Sequence, residues 1–211
     1  MASYIDFRYA PGHAAIVVVD MQNDYCDPRG SLARLGCDVS DVRTMAWRLE
    51  RLVETGRAAG VPPVFVRTTH GPNDDSHAWL NRYGHTEGDE PQGVICREAD
   101  AWGTDWYGVR PQPGDPVITK HRYSAFQGTS LSSTLRTRGI QSLLFTGVST
   151  EICVESSLRD GLFEDFYVSL VEDCTSSYIP EAFRASVDVV RRNFGTVVSS
   201  GNLINAWGMA Q

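Results

Sequence analysis

Short apolar runs alternate along this chain with stretches whose apolar residues recur every three or four positions. The runs are Ala14–Asp20, Pro63–Thr68, Pro116–Lys120, Ser142–Val148, Tyr167–Glu172 and Thr196–Ser199. They are rich in β-branched residues and continuous rather than alternating, which predicts strands covered on both faces, as in a parallel sheet. Between the first two, the segment Val39–Ala59 places Val42, Met45, Ala46, Leu49, Leu52 and Val53 on one helical face and stops before Gly60. Further helices are predicted over Leu131–Arg138, Glu151–Phe163 and Pro180–Asn193, the last opening on a proline suited to a first turn. The alternation predicts an α/β fold: a three-layer α/β/α arrangement around a six-stranded, mostly parallel, Rossmann-like sheet.

Residues 71–114 break this rhythm, being polar and rich in Gly, Pro and Trp. Lacking apolar periodicity, they read as an insertion or lid over the sheet's edge, so that residues 1–211 form one domain. A length of 211 residues, with 42% hydrophobic and 21% charged, excludes disorder and coiled coil and is enough for a core without staples. The net charge of −7 and the absence of a basic stripe argue against a nucleic-acid partner. The longest apolar run, Ala14–Val19, falls far short of the roughly 20 residues that span a bilayer, and no signal-peptide pattern opens the chain. Cysteines at 26, 37, 96, 153 and 174 are odd in number and form no C-x-x-C pair, which fits free thiols in a reducing cytoplasm.

In open parallel sheets, ligands bind beyond the C-terminal ends of the strands. The first run ends on Asp20, the third on Lys120, and the fourth leads through Gly147-Val148-Ser149-Thr150-Glu151-Ile152 to Cys153. An acid, an amine and a thiol thus converge on one edge, the set that thiol-based acyl transfer needs: a proton acceptor, a cation favouring thiolate and a nucleophile. Cys153 also sits at a predicted helix N-terminus, where backbone amides lower a thiol pKa and can hold an oxyanion. Taken singly, each has a bland reading, as a buried small hydrophobe, a turn cap or a solvated amine. The conjunction favours chemistry.

The segments VVVDMQNDY at 17–25, KHRYSAF at 120–126 and TGVSTEICVESSLRDG at 146–161 resemble the isochorismatase-like cysteine hydrolases. That superfamily includes nicotinamidases, N-carbamoylsarcosine amidases, biuret hydrolases and ureidoacrylate amidohydrolases. The resemblance runs from residue 14 to about 200. It implies a triad of Asp20, Lys120 and Cys153, a non-proline cis peptide joining Val148 and Ser149, and an oxyanion hole from the amides of Ser149 and Cys153. It implies hydrolysis of an amide or ureide C–N bond through a thioester with release of ammonia, no cofactor, and a homodimer or homotetramer.

The ESSLRDG and RYSAF segments are most similar to the ureidoacrylate amidohydrolase branch, so a small linear ureide or carbamoyl amide is the expected substrate. Nicotinamide or another cyclic amide is the alternative, and a non-catalytic binding protein on the same fold the remote one. Asn23, Tyr25, Trp106 and Tyr123 are candidate substrate contacts, and Arg122 or Arg67 candidate partners for a substrate carboxylate. Nicotinamidases place an Asp-x-His metal unit after the second strand; here the Asp position is Thr68. No metal is therefore expected, and His70, His77 and His85 read as solvated loop histidines. The other four cysteines lack an acid and lysine at matching strand ends, although Cys174 is placed to line the cleft's rim. Gly147-Val148-Ser149 begins like a serine nucleophile elbow, but Glu151 stands where that motif needs glycine.

Overall fold

A computed structural model describes residues 6–82 and 95–208. Its sheet has six parallel strands in the order β3-β2-β1-β4-β5-β6. These are β1 Ala14–Val19, β2 Pro63–Thr68, β3 Val117–Lys120, β4 Ser142–Val148, β5 Tyr167–Ser176 and β6 Thr196–Val198. The chain winds outward one way from β1 and then crosses back to β4, which leaves a topological switch point between those two strands.

The continuous apolar run of β1 has a direct cause. Ala14, Ile16 and Val18 join the apolar core on one face, while Ala15, Val17 and Val19 join that on the other. Side chains alternate along a strand, so a strand buried twice must be apolar at every position. The first face is covered by α3 (Val42–Ala59), through Leu49 and Leu52, and by α8 (Ser200–Gly208), through Leu203 and Trp207. The second is covered by α5 (Leu131–Thr137), α6 (Glu155–Phe163) and α7 (Pro180–Asn193), through Leu131, Leu158 and Val187. Short helices α1 (Asn23–Cys26), α2 (Ser31–Arg34) and α4 (His77–Leu80) complete the set used below.

Three boundaries differ from the expected ones. Helix α3 starts at Val42 rather than Val39, because Asp38 accepts a bond from the Ser40 amide and holds a turn there. The helix expected over 151–163 is two elements, a π-helical turn Thr150–Val154 followed by α6. Strand β5 continues to Ser176, so Cys174 is inside it and fully buried instead of lining a rim.

The expected insertion is stitched to the loop after β1 wherever it is described. Gln22 pairs with Trp106, the Tyr107 amide donates to Met21, and Asp24 accepts bonds from Ser31 and from the Cys96 amide. Residues 95–108 therefore brace the segment that carries Asp20. Part of the expected lid, and His85 with it, lies outside the described residues.

Candidate active site

The sheet's C-terminal edge gathers the three side chains singled out above. Asp20 follows β1 with φ +52°, a left-handed conformation that aspartate tolerates better than bulky residues, and its amide donates to Val66. Lys120 ends β3 and Cys153 lies in the π-helical turn after β4. That turn is entered through a cis Val148–Ser149 peptide and through Gly147 at φ +102°. A Cβ on Gly147 would stand 1.9 Å from the Val19 carbonyl oxygen, so only glycine lets β4 approach β1 there.

The Lys120 ammonium stands 2.8 Å from Asp20 Oδ2 and 3.4 Å from Cys153 Sγ. It also donates to Thr68 Oγ1 at 2.7 Å and to the Arg122 carbonyl at 3.1 Å. Thr68 in turn donates to Asp20 Oδ1 at 2.9 Å, and its own backbone is clamped by both ends of the Gln22 amide. The Asp20–Lys120 contact is an ion pair without aligned hydrogen-bond geometry, so Oδ2 keeps acceptor capacity.

Thr68 and Gln22 are site residues that sequence reasoning missed, Thr68 having been weighed only as a lost metal ligand. Its hydroxyl ties the acid to the amine. Thr68→Val leaves two buried charged groups short of a partner, a loss of about 1–3 kcal/mol each. The expected result is a fall in kcat/KM of about 10- to 100-fold, with Thr68→Ser recovering most of it. A Thr68→Val enzyme with wild-type kinetics would remove Thr68 from the site.

A cavity of about 490 Å³ opens over these groups, lined by Lys120, Ser149 and Cys153. That is within the usual range for small-molecule sites. Tyr25 and Tyr123 line it as expected, as does Glu151, whose Oε2 is buried without a hydrogen-bond partner among the described residues. Asn23 and Trp106 do not line it. The Asn23 side chain donates to the Trp102 carbonyl, and Trp106 packs edge-on against Phe65, so both anchor the insertion. Arg67 is absent from the lining too: next to Thr68 on β2, it points to the opposite face and donates to Thr119.

His70 is not a solvated loop residue. It is buried, with Nδ1 2.8 Å from Asp75 Oδ1, and lines the cavity, whereas His77 is exposed at the start of α4. Among the described residues no three His, Cys, Asp or Glu side chains converge as a metal site would require.

Electrostatics correct one expectation. Burial, with Asp20 adding to it, pushes the Cys153 thiol up to about 12, and the opposing pull of Lys120 is too small to reverse this. For Lys120, burial alone would lower the pKa, but Asp20 and Cys153 outweigh it and raise the value above 10.5. The site rests as a neutral thiol beside an ion pair.

Both groups hold their protons more tightly folded than unfolded, so their contribution to stability is present at neutral pH and lost as pH rises. For the thiol that window runs from the ordinary 9.0 to about 12; for the lysine it begins at 10.5. Thermal unfolding is expected to show Tm falling through pH 9–12. Cys153→Ala is expected to flatten part of that fall, and an identical slope in the variant would contradict the assignment.

Comparison with known proteins follows the same lines. The isochorismatase domain model matches residues 14–201. A ureidoacrylate amidohydrolase of an Enterobacter species is 35% identical over 94% of this chain and 90% of its own length. The ureidoacrylate amidohydrolase of Pantoea ananatis is 34% identical over 95% and 84%. Among solved structures, a cysteine hydrolase from Pseudomonas syringae pv. phaseolicola superposes with TM-score 0.83 at 23% identity, covering 100% of both chains. N-carbamoylsarcosine amidase from Thermoplasma acidophilum gives TM-score 0.67 at 28% identity, over 89% of this chain and 96% of its own. The fold and the matched domain make this chain a member of the isochorismatase family. Within that family it is a hydrolase acting on carbon–nitrogen bonds other than peptide bonds.

Proposed function

We propose that the protein is a cysteine-dependent amidohydrolase of small linear ureides, ureidoacrylate-type compounds first, acting through a thioester. The observation that carries this reading is the placement of Cys153 Sγ within 3.4 Å of an ammonium that is itself ion-paired to Asp20. Asp20 takes the thiol proton as sulfur attacks the carbonyl, which is what a thiol held neutral by burial requires. Lys120 stays protonated and holds the carboxylate against the thiol. The amides of Ser149 and Cys153 receive the oxyanion. Asp20 returns the proton to the departing nitrogen, and water then hydrolyses the acyl–sulfur bond. If the terminal nitrogen leaves first it departs as ammonia, and the substituted carbamate then loses carbon dioxide. If the substituted nitrogen leaves first, the carbamate released by hydrolysis decomposes to ammonia and carbon dioxide.

The substrate class draws support from two sides. The relatives at 34% and 35% identity are ureidoacrylate amidohydrolases. The cavity over Cys153, about 490 Å³, also suits a small linear ureide. Ammonia release across ureidoacrylate, biuret, N-carbamoyl amino acids and nicotinamide tests the reading. Ureidoacrylate is expected to lead in kcat/KM by tenfold or more. A tenfold lead for nicotinamide, about 1.4 kcal/mol of transition-state preference, would overturn the substrate assignment and leave the thiol chemistry standing.

A further inference from the structure

The cavity over Cys153 has a second cation whose charge the proposed chemistry does not use. Lys120 is matched by Asp20, but Arg122 lines the same cavity and belongs to neither. Its Nη1 is tied back to main-chain carbonyls, Asp74 at 3.2 Å and His121 at 2.6 Å. Its guanidinium lies over the Trp79 ring at 4.9 Å. The nearest acid, Asp75, stands 4.0 Å away and already receives His70 Nδ1 at 2.8 Å. Among the described residues, Nε and Nη2 of Arg122 make no hydrogen bond. One edge of the guanidinium is thus fixed and the other carries donors without a partner.

Two further contacts sharpen this. Arg82 stacks on the same indole at 3.9 Å and donates to the Tyr123 hydroxyl, so Trp79 draws two guanidinium groups together at the cavity wall. The Arg122 carbonyl meanwhile accepts from Lys120 Nζ, which fixes the position of this cation relative to the reacting sulfur. A guanidinium held by its main-chain bonds and by an aromatic face is preorganised for the two oxygens of a carboxylate.

We infer that Arg122, backed by Trp79, is the specificity-determining residue that grips a carboxylate on the substrate, so the enzyme takes ureido acids in preference to their uncharged counterparts. This rests on the reading of Cys153 as the attacking group only for where the carbonyl lies. The binding of the anion stands apart from it.

The test pairs two measurements. In the Cys153→Ala protein, calorimetry compares ureidoacrylate with its methyl ester. The acid is expected to bind at least tenfold more tightly than the ester, and Arg122→Gln in that background is expected to remove that margin. In the active enzyme, Arg122→Gln is expected to cost at least tenfold more kcat/KM on the acid than on the ester, mainly through KM, with Arg122→Lys between. Equal losses on acid and ester would show a positioning role through Lys120 and overturn the inference, as would equal binding of acid and ester before mutation. If the acid binds through Arg122 yet is not hydrolysed, the carboxylate grip holds and the proposed reaction fails instead.

Discussion

Cys153→Ser is expected to fold normally and lose activity by a factor on the order of 10⁴ or more, as removal of a nucleophile generally does. The exchange is nearly isosteric, so circular dichroism and Tm near neutral pH should be unchanged. The hydroxyl, far less acidic than the thiol, is poorly served by a carboxylate base and a single ammonium. Retention of more than a few per cent of wild-type kcat would end the assignment.

Alkylation gives a less clean readout than the sequence suggests. Preferential iodoacetamide labelling of Cys153 is the expectation from a lowered thiol pKa, but the thiol is raised and only 7% exposed. Cys37 lines the same cavity and is more open, although burial raises its pKa as well. Labelling should therefore distribute between Cys37 and Cys153, and only modification of Cys153 should track loss of activity.

The second large effect concerns the buried ion pair. Asp20→Asn leaves the Lys120 ammonium, 1% exposed, without its counter-charge. Removing one member of such a pair destabilises by about 3–5 kcal/mol, which at 2–4 °C per kcal/mol lowers Tm by about 6–20 °C. It also removes the proposed base, so activity should vanish with stability. The double variant Asp20→Asn/Lys120→Met separates the two consequences. With no stranded charge, it should recover much of the Tm and none of the turnover. A single variant within 2 °C of wild type, about 1 kcal/mol or less, would show that the pair does not stabilise the fold, and one with wild-type turnover would show that Asp20 is not the base.

The strands were readable because a sheet buried on both faces leaves no polar position to blur the pattern, as β1 shows. The convergence of three chemically apt side chains was readable for a related reason. A parallel sheet presents every strand's C-terminal end at one edge, so Asp20, Lys120 and Cys153 needed only their strands to be found. What was missed lies in side chains whose roles depend on neighbours distant in sequence. Thr68 touches Asp20 and Lys120, each about fifty residues away, and a threonine carries no spacing signal. Asn23 and Trp106 are expected near the mouth of the cleft as substrate contacts; both instead bond the insertion to the body. The choice between Arg67 and Arg122 also needed the structure, which turns Arg67 away from the site and Arg122 into the cavity wall. The depth of burial that raises the Cys153 thiol is likewise a property of packing, invisible to the local helix-terminus argument.

The measurement closest to the central claim is mass spectrometry of the enzyme quenched during turnover of ureidoacrylate, with the modified peptide mapped. An acyl or carbamoyl group is expected on Cys153, disappearing as substrate is exhausted and absent in Cys153→Ala. Steady turnover with the adduct on another cysteine, or turnover that persists in Cys153→Ala, would contradict it.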